Sequence, residues 1–215
     1  KLGKAVSLFL AKQGAKLVLC FDREENIDNS LIKELNSIKA NYKVTVCDFL
    51  SYTSAQKLVD ELKSDDSFKD LNAMYYNVTP EVVRCELNQL PREKLTYLID
   101  NYILKAFCAT KIIGDYMQDK NGVIVYRGSV NDDKPTGIAG FNSMYYAVIK
   151  NLNREAAIYY GYYNVRFVNL EFTSVLTKSC LGEEYRPRRI KLNHYCNKRS
   201  NESRQNKSDE TSEYI

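Results

Sequence analysis

The chain has 215 residues, 44% apolar and 27% charged, a balance inside the globular range and away from the low-hydrophobicity, high-charge corner of disorder. It is long enough for one domain of the larger sort that buries about 70% of its unfolded surface, which excludes a disulfide-stapled miniprotein. Net charge is +4, from 31 basic and 27 acidic residues, yet residues 186–207 alone hold eight basic side chains against one acidic, Glu202, leaving 23 against 26 elsewhere. The basicity therefore belongs to a tail, and the folded body is not expected to bind nucleic acid. No apolar run approaches the roughly 18 to 20 residues needed to span a bilayer and no basic-then-apolar leader opens the sequence, so a cytoplasmic location is expected. Cys20, Cys47, Cys85, Cys108, Cys180 and Cys196 stand singly beside one histidine, His194. Without a CxxC pair, neither a metal site nor a disulfide framework is legible, and reduced thiols are expected.

In chain order, periodicity predicts a helix over about 3–13, a strand KLVLCF, a helix near 29–39, a strand KVTVC and a helix near 53–64. A strand NAMYY, a long helical region from about 91 to 117, a strand GVIVY, a helix over 143–160 and a strand VRFVNL follow. Strands alternating with helices at this spacing predict an α/β fold, a Rossmann-like doubly wound parallel sheet covered on both faces. Gly14, Asn41, Asn72, Gly122 and Asn164 precede the strands, where helix C-caps and turns need them.

The sequence opens on a helix and on Lys1, so the strand expected before the first helix, in the middle of the sheet, is missing from it; a fragment or truncated product is one expectation. After Thr177 the pattern fades, and NESRQNKSDETSEY has no apolar periodicity. The division expected is a Rossmann-like domain over 1–181 and a basic, polar, largely disordered tail over 182–215.

The stretch LGKAVSLFLAKQGAKLVL resembles the glycine-rich turn and first helix of the short-chain dehydrogenases/reductases, which read TGxxxGxG, then an alanine-rich helix, then GA and a strand. Gly3 matches the last glycine, Gly14 and Ala15 match the GA, and Lys1 stands at the middle glycine. The resemblance implies a nicotinamide dinucleotide, NAD or NADP, with its pyrophosphate at a helix N-terminus. It implies cofactor contacts at Gly3, at Asp22 for the adenosine ribose, at Asp48 and Phe49 for adenine, at Asn77 from the NNAG-like YYNVT, and at Thr177 for the carboxamide. Asp22 favours NAD, whereas Arg23 beside it suits a 2′-phosphate.

The family's catalytic set is an Asn, a Ser, a Tyr and a Lys, in which the lysine lowers the tyrosine pKa, the serine polarises the carbonyl and the asparagine holds a proton relay. Asn101 and Ser129 stand at family-like spacing. Tyr146 and Lys150 form YxxxK, but 17 residues beyond Ser129 against the family's usual 13 or so. In a gap-free register the tyrosine and lysine positions hold Asn142 and Tyr146, neither of which can do that chemistry. An offset of four residues keeps the helix face but shifts the height by about 6 Å.

Three functions follow from the resemblance. One is a dinucleotide-binding domain of oxidoreductase lineage with impaired catalysis, a possible pseudoenzyme. Another is an active enzyme moving hydride between nicotinamide and a small alcohol or carbonyl substrate. The third is a non-functional truncated product. A homo-oligomer is implied, through the helices near 91–117 and 143–160.

Overall fold

The computed structural model describes residues 2–81, 87–130 and 140–172. The boundary expected near 181, the basic tail, and Cys85, Thr177, Cys180, His194 and Cys196 lie outside the described residues. The order is α1 Leu2–Lys12, β1 Leu17–Phe21, α2 Asn29–Ser37, β2 Tyr42–Val46, α3 Tyr52–Ser64, β3 Ala73–Tyr76, α4 Arg92–Leu98, a π segment Ile99–Leu104, α5 Lys105–Tyr116, β4 Val123–Ser129, α6 Gly140–Gly161 and β5 Arg166–Phe172. This is an α/β fold of the Rossmann-like kind, and every strand pairing among the described residues is parallel.

Local chemistry explains the boundaries. Gly14 adopts φ of 84° just past α1, a left-handed conformation that glycine enters at no steric cost, and it turns the chain into β1. Asp28 caps α2 by accepting from the Ser30 and Leu31 N–H groups at 3.0 and 3.1 Å, and Ser51 caps α3 through the Ser54 N–H at 3.2 Å. The apolar stripe of α3, Ala55, Leu58, Val59 and Leu62, is buried, the spacing of one helix face.

Two features add detail to the parallel sheet lacking its middle strand and to the long helical region expected from the sequence. Among the described residues the strands form two sheets, β1 with β2 and β3 with β4 with β5. The core divides with them: Leu17, Leu19, Leu31 and Leu35 form one cluster, and a larger cluster joins α3, α5 and α6 to β3 and β4. The helical run from 92 to 116 continues through a π segment, where an i→i+5 ladder accommodates one extra residue per turn; such segments recur at functional sites. Asn101 sits in it, and its Nδ2 donates to the Tyr97 carbonyl at 2.9 Å.

Among the described residues, no helix is long and apolar enough to cross a membrane.

Candidate active site

A cavity of about 680 Å³ lies where the two sheets meet. Along the strands its walls are apolar, from Val18, Leu58, Leu62, Leu71, Met74 and Ile113. At the strand ends its rim is polar, from Asp22, Arg23, Asn26, Asn77, Thr79, Asn101 and Lys105, with Phe49 beside them. Open α/β sheets place ligands at the C-terminal ends of their strands because backbone N–H groups and loop side chains converge there.

The rim is built from strand ends. Asp22 follows β1 and accepts from Asn26 Nδ2 at 2.6 Å, while Arg23 lies 3.9 Å from Glu25. Asn77 follows β3, and its Oδ1 is buried without a hydrogen-bond partner. A Cβ on Gly3 would stand 2.6 Å from Asn77 Nδ2, so the start of α1 approaches Asn77 as closely as only glycine permits. An unpartnered acceptor, a helix start approached closely at Gly3 and a carboxylate at the rim fit the groups of a dinucleotide. Lys105 Nζ bonds Asp48 Oδ1 at 3.2 Å, with 12% of the lysine side chain exposed. The Asp48 carboxylate also accepts from the Leu50 N–H, so it is held by protein partners and is not among the lining residues.

Ser129, Asn142, Tyr146 and Lys150 are likewise not among the residues that line the cavity. Ser129 closes β4 and is buried, as are Asn142 and Tyr146 on α6. The Asn142 Oδ1 and the hydroxyl of the adjacent Ser143 are buried without hydrogen-bond partners. Lys150 Nζ pairs with Glu171 Oε1 of β5 at 2.9 Å. Burial raises the pKa of Tyr146 above the ordinary phenol value, opposed by the Arg127 charge and a hydrogen bond with the Thr79 hydroxyl.

Arg127 was not singled out in the sequence. It points from β4, two residues before Ser129, and its Nη1 donates to Thr79 Oγ1. Its charge lowers the pKa values of Tyr75, Tyr145 and Tyr146, each of which burial raises. A basic residue in the middle of the apolar run VIVYRGS was the available signal, since a cation in a parallel strand needs a partner. Among the described residues, no cluster of His, Cys, Asp and Glu has the arrangement of a metal site.

The sequence profile described as short chain dehydrogenase matches residues 2–186. No curated protein matches the chain. Among solved structures, a short chain dehydrogenase from Mycobacterium smegmatis superposes with a TM-score of 0.72 at 17% identity, covering 82% of this chain and 73% of that one. NAD+-bound xylitol dehydrogenase gives 0.73 at 20% identity, with coverage of 80% and 65%. An alcohol dehydrogenase from the archaeon Thermococcus sibiricus, complexed with 5-hydroxy-NADP, gives 0.71 at 18% identity, with coverage of 82% and 73%. Likeness at this identity speaks to the fold.

Proposed function

Since the chain belongs to the short-chain dehydrogenase family, we propose that it is a nicotinamide dinucleotide-binding domain of oxidoreductase lineage whose proton-transfer apparatus is impaired. The observation that carries the reading is the pairing of Lys150 with Glu171, together with a Tyr146 whose pKa burial raises. A general acid in this chemistry needs a pKa brought towards neutrality by a nearby cation, and an ammonium neutralised by a carboxylate supplies little of that field.

Gly3, Asp22 and Asn77 would hold the dinucleotide, with Phe49 against the adenine and Asp48 and Thr177 in supporting positions. The cofactor, when bound, supplies the hydride or takes it up. This chain's own residues bind and orient it: the start of α1 favours the pyrophosphate charge, and Asp22 accepts from a ribose hydroxyl and repels a 2′-phosphate. NAD is therefore the favoured cofactor. Asn101 and Ser129 remain the polar groups assigned to the substrate side.

A second reading, an active enzyme for a small alcohol or carbonyl, is favoured by Arg127, whose charge acts on Tyr146 in the required direction. We assign the protein to the cytoplasm and to a homo-oligomer joined through α5 and α6, where Phe107, Met144 and Val148 are exposed. Fluorescence titration with NADH and NADPH tests the cofactor assignment. Weak binding with preference for NADH is expected, and a clear preference for NADPH overturns the role of Asp22 and promotes Arg23.

A further inference from the structure

Strand alternation sorts the residues at the ends of β3 and β4 onto two faces. Tyr76 and Tyr126 stand opposite each other in the ladder, their ring centroids 5.2 Å apart, and the Tyr126 hydroxyl bonds that of Thr110 on α5. Tyr75, Arg127 and Ser129 therefore project from the other face. Asn77, level with Arg127 just beyond the paired residues, lies against Gly3 of α1. Arg127 is half-buried there, and its Nη1 donates to the Thr79 hydroxyl. Its Nε is buried without a hydrogen-bond partner, and so is the Tyr75 hydroxyl.

The acidic residues of these strand ends are committed elsewhere. Glu171 of β5 holds Lys150 at 2.9 Å, Asp48 holds Lys105 at 3.2 Å, and Asp22 accepts from Asn26 at 2.6 Å. Among the described residues no carboxylate pairs with Arg127. A guanidinium keeps its charge at every ordinary pH, and out of water that charge is costly until an anion meets it. With Nη1 given to Thr79, the edge formed by Nε and Nη2 is left, and two parallel N–H groups on one edge match the two oxygens of a carboxylate. The Tyr75 phenol is a third donor, close enough for the Arg127 charge to oppose the rise in its pKa that burial causes. Tyr75, Asn77 and Thr79 all line the cavity, so these donors border open space.

We propose that Arg127 is a carboxylate-binding residue of this site. A small carboxylate beside Thr79 takes two charge-assisted bonds from the Nε and Nη2 N–H groups and a third from the Tyr75 hydroxyl. Ser129 lies on the same face two residues on, about 7 Å along β4, a span that the side chains and a short oxo acid or hydroxy acid cover together. The ligand class is therefore a short oxo acid or hydroxy acid. That it is the substrate rests on the functional reading above; that it binds does not, because its binding is measured without a dinucleotide.

The test is titration of the full chain with pyruvate and with pyruvamide, which keeps the carbonyl and lacks the charge, followed by NMR at the Arg127 Nε–H. Pyruvate is expected to shift that resonance saturably and pyruvamide to leave it in place. Arg127→Leu should weaken pyruvate binding by at least about tenfold, and Arg127→Lys, which keeps the charge and loses the fork, should recover only part of it. The Nε–H readout needs no variant, so it stands even if a substitution unfolds the chain. No shift at pyruvate concentrations up to about 100 mM overturns the proposal, as does an equal response to pyruvamide. A response to inorganic phosphate with none to pyruvate gives the site to a phosphate group and also overturns it. So does binding that appears only when Asp132→Asn and Asp133→Asn are combined, because the chain's own carboxylates would then hold Arg127. Pyruvate binding in a chain that does not bind NADH supports the carboxylate site and removes only the functional reading.

Discussion

Replacing Tyr146 by Phe separates a working general acid from a buried structural phenol. At pH 7 a phenol whose pKa is 10 or higher is ionised in no more than about one molecule in a thousand, and bringing it to neutrality takes about 4 kcal/mol of favourable field. A bare ammonium about 5 Å away supplies about 3 kcal/mol at an effective dielectric of about 20. Lys150 is 2.9 Å from Glu171, so most of that field is cancelled, while burial pushes the Tyr146 pKa the other way. We therefore expect Tyr146→Phe to leave any nicotinamide-linked reductase activity on small ketones within about twofold. It should cost about 1 kcal/mol of stability through the hydrogen bond to Thr79. Ultraviolet difference titration of the parent against the variant provides a readout that needs no activity, and Tyr146 should titrate above the ordinary phenol value because burial disfavours its phenolate. A rate loss of about a thousandfold, or a phenol that ionises below about 9, would refute the reasoning and make Tyr146 the proton donor.

Gly3→Ala places a methyl where Asn77 Nδ2 now lies; helix propensity favours alanine by up to about 1 kcal/mol, so thermal stability should hold while NADH affinity falls, and an unchanged affinity would remove Gly3 from the cofactor site. Asp28→Ala should cost about 1 kcal/mol at pH 7 by uncapping α2. The Asp28 pKa is lowered by the Ser30 hydroxyl and the Leu31 N–H, so its contribution is present above the unfolded value of about 3.9 and is lost as pH falls through the folded value. Denaturation of parent and variant should therefore converge in acid, and a constant gap down to the lowest pH would contradict the cap. Light scattering should find a dimer or larger assembly at micromolar concentration, converted to monomer by Phe107→Glu with Val148→Glu; a monomeric parent would leave that exposed apolar face without the assigned role.

Sequence periodicity was enough to identify the alternation of helices and strands, because each amphipathic stripe is a local property: Leu31 and Leu35 of α2, or Ala55, Leu58, Val59 and Leu62 of α3, reach the core from their spacing alone. The caps at Asp28 and Ser51 and the turn at Gly14 are equally local. Asp22, Asn77 and Asn101 sit where strand ends and a helix were expected to bring them, and the resemblance supplied their order. The extent and register of each strand pairing were not legible, since they depend on which edges meet across helical crossovers. Nor was the pairing of Lys150 with Glu171, 21 positions apart and on different elements, or the Arg127 charge among Tyr75, Tyr145 and Tyr146. Those depend on which side chains share a low-dielectric space, and only tertiary packing decides the distances and desolvation that set a charge's effect.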